Sequence, residues 1–227
     1  MATEFTWLGH GSWSIRAGDT NILLDPFFDD SPTATVKSDE VEANYILVSH
    51  GHFDHIADVV AIAHRTHATV VANIEICEWL AKQQVEQTEQ MNTGGGIDLP
   101  FGRVVMTQAL HSSGLPDGTY GGDPCGFVLK LPDGNVYFAC DTALFLDMKL
   151  IGMVGLDLAV LPIGDRFTMG PDDAVEATNL LSPKRVVPVH YNTWPPIAQD
   201  VNAWAERIRV HTQAEAVVLS PGMTITF

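Results

Sequence analysis

Tyr45-Ile46-Leu47-Val48-Ser49-His50-Gly51-His52-Phe53-Asp54-His55 is the stretch on which the fold turns. Tyr45–Val48 is a continuous apolar run of β type, the pattern of a strand covered on both faces. It feeds directly into His50-x-His52-x-Asp54-His55, which sets four candidate metal ligands within six residues. In extended chain, residues two apart point the same way, so His50 and His52 can grip one cation. The turn that follows aims Asp54 and His55 at a second position nearby. Imidazole and carboxylate without thiolate suit zinc, and also iron, manganese, nickel or cobalt.

The flanking segments place this cluster in an α/β chain. Ile56, Val59, Val60 and Ala63 follow one-sided helical spacing, Thr69–Ala72 returns as a strand, and Ile74–Lys82 reads as a second helix. Upstream, Glu4–Leu8, Trp13–Arg16 and Asn21–Leu24 form a β-meander broken by glycine turns. Downstream, a polar connector ends at Gly94-Gly95-Gly96, and Val104–Ala109 is a strand delivering His111. Phe127–Leu131 and Asn135–Ala139 flank the hairpin turn Pro132-Asp133-Gly134 and lead to Asp141. Asp157–Leu161 is a buried strand, Asp172–Leu181 a helix behind Pro171, and Val186–Val189 a strand delivering His190. Ile197, Val201, Trp204 and Ile208 mark a last helix, with Ala216–Leu219 and Met223–Phe227 as closing strands. Gly18–Asp25 and Asp133–Asp141 echo one another as turn-plus-strand segments ending in Asp, as a duplicated unit would produce. No linker separates the halves, so residues 1–227 read as one domain of two sheets with helices outside.

Composition limits the function classes. Twelve Lys+Arg against 28 Asp+Glu give a net charge of −16, and the basic residues are scattered, which argues against nucleic-acid partners. Apolar runs such as Ile46–Val48 and Val217–Leu219 fall far short of the roughly 18 residues a bilayer needs. Glu4 within Met1–His10 is unlike a signal peptide. Cys77, Cys125 and Cys140 are odd in number and far apart, which suggests neither disulfides nor a thiolate zinc knuckle and fits the cytoplasm. The partners expected are a small-molecule substrate and, as an open alternative, further copies of the chain.

His111, Asp141 and His190, each after a strand, supply three more ligands where α/β sites usually lie. The order His-x-His-x-Asp-His, then a distant His, Asp and His, resembles the metallo-β-lactamase superfamily of dinuclear metal hydrolases. More narrowly, Thr6–His10, Leu24–Phe28, Asp141–Phe145, Pro162–Pro171 and His190–Thr193 resemble a branch labelled only as metal-dependent hydrolases, itself similar to ascorbate-phosphate lactonases and N-acylphosphatidylethanolamine phospholipases. The resemblance implies an αββα four-layer sandwich, two mixed β-sheets with helices on the outer faces. It implies that His50, His52 and His111 hold one divalent metal ion, that Asp54, His55 and His190 hold the other, and that Asp141 bridges them, with zinc as the expected metal. A hydroxide shared by the two ions would attack a small-molecule ester, lactone, amide or phosphodiester, with Asp54 as catalytic base. Cys140 departs from the family, whose members commonly have Gly before this Asp.

His10, Asp25, Asp165, Tyr191 and Asn192 are candidates to face substrate or to support the ligands from behind. Ser49 and Ser112 read as supporting or turn residues, since no Gly-x-Ser-x-Gly elbow exists. His64, His67 and His211 read as solvated, and the five tryptophans as core or interface. Two other functions fit the same ligands: a mononuclear iron dioxygenase using His-His-Asp from this scaffold, and a metal-stabilised binding protein without turnover.

Overall fold

Strand β4 (Tyr45–Leu47) shows how the layers arise. Ile46 packs into a cluster with Val59, Ile62 and Leu80 of the covering helices, whereas Leu47 packs into the cluster between the two sheets. Neighbouring β3 (Thr20–Leu24) and β5 (Thr69–Asn73) divide in the same way, with Leu23 and Val70 on one side and Leu24 and Val71 on the other. Each strand buries both faces, which explains the continuous apolar runs. The computed structural model describes residues 2–226, and Phe227, the last residue of the expected closing strand, lies outside them.

The first sheet also contains β1 (Glu4–Gly9), β2 (Ser12–Ala17), β6 (Thr88–Met91) and β14 (Thr224–Thr226), in the order β14-β1-β2-β3-β4-β5-β6. The second contains β7 (Gly96–Leu99), β8 (Gly102–Gln108), β9 (Cys125–Leu131), β10 (Gly134–Phe138), β11 (Leu158–Pro162), β12 (Arg185–Val189) and β13 (Glu215–Ala216), in the order β13-β12-β11-β10-β9-β8-β7. From one edge to the other, each sheet runs through three antiparallel pairings and then three parallel ones. β3 and β10 occupy the same place in this repeat, so the Asp-terminated echo in the sequence marks corresponding strands of two similar halves. The sheets meet through large aromatic groups: Phe138 lies 6.4 Å from Phe5 and 5.7 Å from Trp13, ring centroid to centroid.

Helices α2 (Val59–Thr66) and α3 (Ile74–Lys82) follow the first half, and α4 (Met148–Gly152), α5 (Pro171–Leu181) and α6 (Val201–His211) the second. Local chemistry sets their starts. Asn73 accepts from the Ile76 amide, Pro171 opens α5 with Asp172 and Asp173 behind it, and Asp200 accepts from the Asn202 and Ala203 amides. That cap puts Ile197 outside α6, in a short 3-10 turn (Pro195–Ile197), contrary to the helical spacing read from the sequence. The helix expected from Ile56 onward is two, α1 (Phe53–Ile56) and α2, because Asp58 instead accepts from the Phe28 and Asp29 amides. The Ala216–Leu219 strand shrinks to the two residues of β13. No helix among the described residues is long and apolar enough to cross a membrane.

Candidate metal centre

The carboxyl ends of β4, β8, β10 and β12 converge, and the residues after them meet. His50 Nε2 and His111 Nε2 lie 3.0 and 3.3 Å from His52 Nδ1. Asp54 Oδ2 lies 4.0 Å from His55 Nε2 and 3.9 Å from His190 Nε2. Two clusters of potential ligands form, His50, His52 and His111 in one, Asp54, His55 and His190 with His10 in the other, and a third grouping of Asp25 with His50 and His55 links them from beneath. Asp141 Oδ2 stands between them, 4.0 Å from His50, 3.5 Å from His111, 3.4 Å from His55 and 3.1 Å from His190, each to Nε2. All seven side chains named from the sequence as ligands come together at this point.

The hydrogen bonds behind the cluster assign the ring nitrogens. Ser49 Oγ donates to Asp25 Oδ2 at 2.5 Å and accepts from His50 Nδ1 at 2.9 Å, leaving His50 Nε2 free for the centre. His55 Nδ1 donates to the same Asp25 oxygen at 2.9 Å, so His55 Nε2 is also free. Asp25 is 1% exposed and thus orients one imidazole from each cluster, which places it beneath the centre rather than facing a substrate. Replacing Asp25 with alanine should weaken metal binding by about 10- to 100-fold, the usual effect of losing such a support, as measured by competition with a chromogenic chelator.

His10 is excluded as a ligand by the same reasoning. It is fully buried, and burial followed by the adjacent His190 pushes it down to about 3, so the ring is neutral. Its Nε2 donates to Asp54 Oδ2 at 3.1 Å and its Nδ1 accepts from Thr193 Oγ1 at 2.7 Å, which uses both nitrogens. His10 therefore positions Asp54.

The electrostatics of the centre suit a cation. Burial pushes His50 far down, and burial also lowers His52 and His111, keeping them in the neutral form that metals bind. In Asp141, burial would raise the carboxyl, but His190 and then His55 outweigh it and hold it well below the usual range. In His55, burial acts downward and is overcome by Asp141 and then Asp25, so the ring holds a proton that a bound cation would displace from Nε2. His55 Nε2 and His190 Nε2 are buried and have no hydrogen-bond partner within the chain, although both face Asp141. Buried ring nitrogens without partners are costly unless something binds them. This donor set of imidazoles and carboxylates fits divalent cations, and His50, His52 and His111 on one side and Asp54, His55 and His190 on the other would hold them around Asp141.

The backbone here is strained. His10, Asp25, Cys140 and His190 have φ of 49, 45, 53 and 54°. Such left-handed conformations cost side-chain-bearing residues of order 1–3 kcal/mol and concentrate at functional sites. At Cys140 the φ is one that glycine adopts without this cost.

A cavity of about 870 Å³ opens above the centre, with His52, Asp54, His111, Asp141 and His190 in its lining. Its wall is apolar, including Phe53, Leu115, Phe167, Trp194 and Pro196, and Arg166 also lines it. Phe53 and Trp194 are braced from beneath by Phe27, at 5.7 and 6.0 Å. Three of the residues named as candidates to face substrate or support the ligands from behind do not line this cavity. Tyr191 is buried, stacked 5.8 Å from Trp7. Asn192 Oδ1 accepts from the exposed Gln199 amide at 2.8 Å. Asp165 turns against Gly170. In their place stand Arg166 and Trp194, each one to three residues along the chain from a candidate the sequence named; by sequence Trp194 reads as core or interface. Ser112 Oγ lies 3.2 Å from His52 Nε2, a supporting position as expected. His64, His67 and His211 are exposed and remote.

Comparison with known proteins gives the family. The beta-lactamase superfamily domain family matches residues 20–191. A "UPF0173 metal-dependent hydrolase" of Heliobacterium modesticaldum is 45% identical over 97% of this chain and 96% of its own length. One from Thermus thermophilus is 48% identical over 96% of each chain. Among solved structures, Igni18, a metallo hydrolase from Ignicoccus hospitalis, superposes with a TM-score of 0.90 at 33% identity, covering 100% of this chain and 99% of its own. With the ligand cluster, the paired sheets and end-to-end identity in agreement, the chain belongs to the beta-lactamase superfamily and, within it, to the UPF0173 metal-dependent hydrolases.

Proposed function

We propose that the protein hydrolyses an ester, lactone, amide or phosphodiester of a small molecule, using two divalent cations, zinc foremost, held by the two clusters around Asp141. The observation that carries this reading is the position of Asp141 Oδ2, within 4.0 Å of imidazoles from both clusters and on the floor of the cavity. Paired cations supply an acidified water and positive charge for the oxyanion that develops during attack. Asp54, fixed by His10, orients the attacking water and accepts its proton. Asp25 and Ser49 hold His50 and His55 in the tautomers that leave Nε2 for the centre. The apolar wall excludes bulk water from the reacting bond.

Elemental analysis of the purified protein should find two divalent ions per chain, and chelation should abolish hydrolysis of aryl ester and phosphodiester substrates. Asp54→Asn should lower kcat by about 10²-fold, the scale of a lost general base, while most of the metal stays bound. One iron per chain with oxygen consumption would overturn the reading in favour of a dioxygenase. Metal-replete protein inert on every ester, lactone, amide and phosphodiester tried would favour a binding protein.

A further inference from the structure

Arg166 is the one arginine that the described structure leaves without a polar partner. Arg16, Arg65, Arg103, Arg207 and Arg209 each pair with a carboxylate, and Arg185 donates to the Thr226 carbonyl. Arg166 has only a ring contact, its Cζ 5.6 Å from the Phe167 centroid. The guanidinium is exposed to solvent and free to pair with a ligand, and it lines the cavity above the candidate metal centre. Its neighbour Asp165 points the other way, toward Gly170.

The loop that carries Arg166 is tied to the centre. The Asp165 and Thr168 amides bond within the loop, to Met169 O at 3.2 Å and Asp165 O at 2.9 Å. The Met169 amide donates to the carbonyl of Thr142, the residue after Asp141, at 2.9 Å. Gly164, at the loop's start, packs directly on the His190 backbone. The loop's position relative to Asp141 and His190 is thus fixed by backbone contacts. Phe167 beside the guanidinium continues the apolar wall formed by Phe53 and Trp194.

We propose that Arg166 determines specificity: it pairs with an anionic group, carboxylate or phosphate-type, that the substrate carries apart from its scissile bond, while the substrate's apolar body lies against Phe53, Phe167 and Trp194. This rests on the hydrolytic reading above. A guanidinium offers a planar fork of donors that matches such an oxyanion, and the negative charge of the rest of the chain leaves it the local attractor for one.

The test uses metal-loaded protein and matched 4-nitrophenyl esters: the neutral butyrate, the glutarate monoester with a terminal carboxylate, and a phosphonate-terminated analogue, which shows which anion fits better. The wild type should prefer an anionic ester by about tenfold in kcat/KM, carried mainly by KM and declining with added salt. Arg166→Gln should bring the ratio to about one, and Arg166→Lys should keep part of it, since a point charge replaces the fork. No preference in the wild type, or a preference that survives Arg166→Gln, would overturn the proposal. If none of the esters is turned over, the hydrolytic reading fails separately. Calorimetry then compares 4-carboxybenzohydroxamate with 4-methylbenzohydroxamate, whose metal-binding ends are identical. Tighter binding of the carboxylate in the wild type but not in Arg166→Gln supports the role of Arg166, and equal affinities in the wild type refute it.

Discussion

Asp141→Ala is expected, on the proposed two-cation reading, to empty both cation positions and to lower kcat/KM by about 10³-fold or more, since such ions would supply several kcal/mol of transition-state stabilisation. The reason is geometric. One oxygen of Asp141 lies within 4.0 Å of Nε2 of His50, His55, His111 and His190, and the residue is only 4% exposed. Removing it leaves three buried imidazoles and the half-buried His111 around a void with no negative charge to offset a cation, and His55 loses the carboxylate that most strongly favours its charged form. Asp141→Asn keeps the volume and removes the charge, so the two variants separate packing from electrostatics. Both should lose metal in elemental analysis, with the asparagine variant retaining more thermal stability. A variant that keeps two ions per chain and full turnover would refute the placement of Asp141 between the cations.

Gly164→Ala is expected to cost about 3 kcal/mol, the upper range for overpacking, and to lower Tm by roughly 10 °C for a chain of this size. A Cβ built on Gly164 would lie 2.3 Å from the His190 carbonyl oxygen, a contact folded proteins do not tolerate. Gly164 and His190 follow β11 and β12, which are locked side by side through the pairing of Pro162 with Val189. The clash therefore cannot be relieved without moving His190, whose backbone is already left-handed at φ 54°. Metal affinity should fall along with stability. Gly155→Ala is the control, because nothing lies within 4 Å of its Cβ and the cost is only that of its φ of 76°, about 1–2 kcal/mol. Calorimetric melting of the metal-loaded variants measures both, and a Gly164→Ala protein melting within about 2 °C of wild type would contradict the packing argument.

The ligand cluster was legible because its spacing is local. His50, His52, Asp54 and His55 need only a strand end and one turn to be aimed, and both can be read from residue type. His111, Asp141 and His190 were legible for a related reason, each following an apolar run whose direction fixes where its end lies. The cavity wall was not legible. Phe53 opens the short helix α1 while Phe167 and Trp194 come from separate loops, and an aromatic residue at such a place reads the same whether it plugs the core or faces a cavity. Asp165, Tyr191 and Asn192 were adjacent to the right places, but in irregular chain a shift of one residue reverses the direction of a side chain. β6 and β7 escaped notice because Thr88-Glu89-Gln90-Met91 and Gly96-Ile97-Asp98-Leu99 are polar edge strands with little buried surface.

The two halves with the same strand pattern divide the ligands unevenly and interdependently. The first contributes His50, His52, Asp54 and His55, the second His111, Asp141 and His190, and at corresponding strand ends Asp25 steadies imidazoles from beneath while Asp141 faces both ligand clusters. Neither half can chelate as designed until it has docked on the other. On the proposed reading, metal uptake would follow the docking of the halves and report correct assembly: two fragments cut between β6 and β7 should regain ions only when mixed.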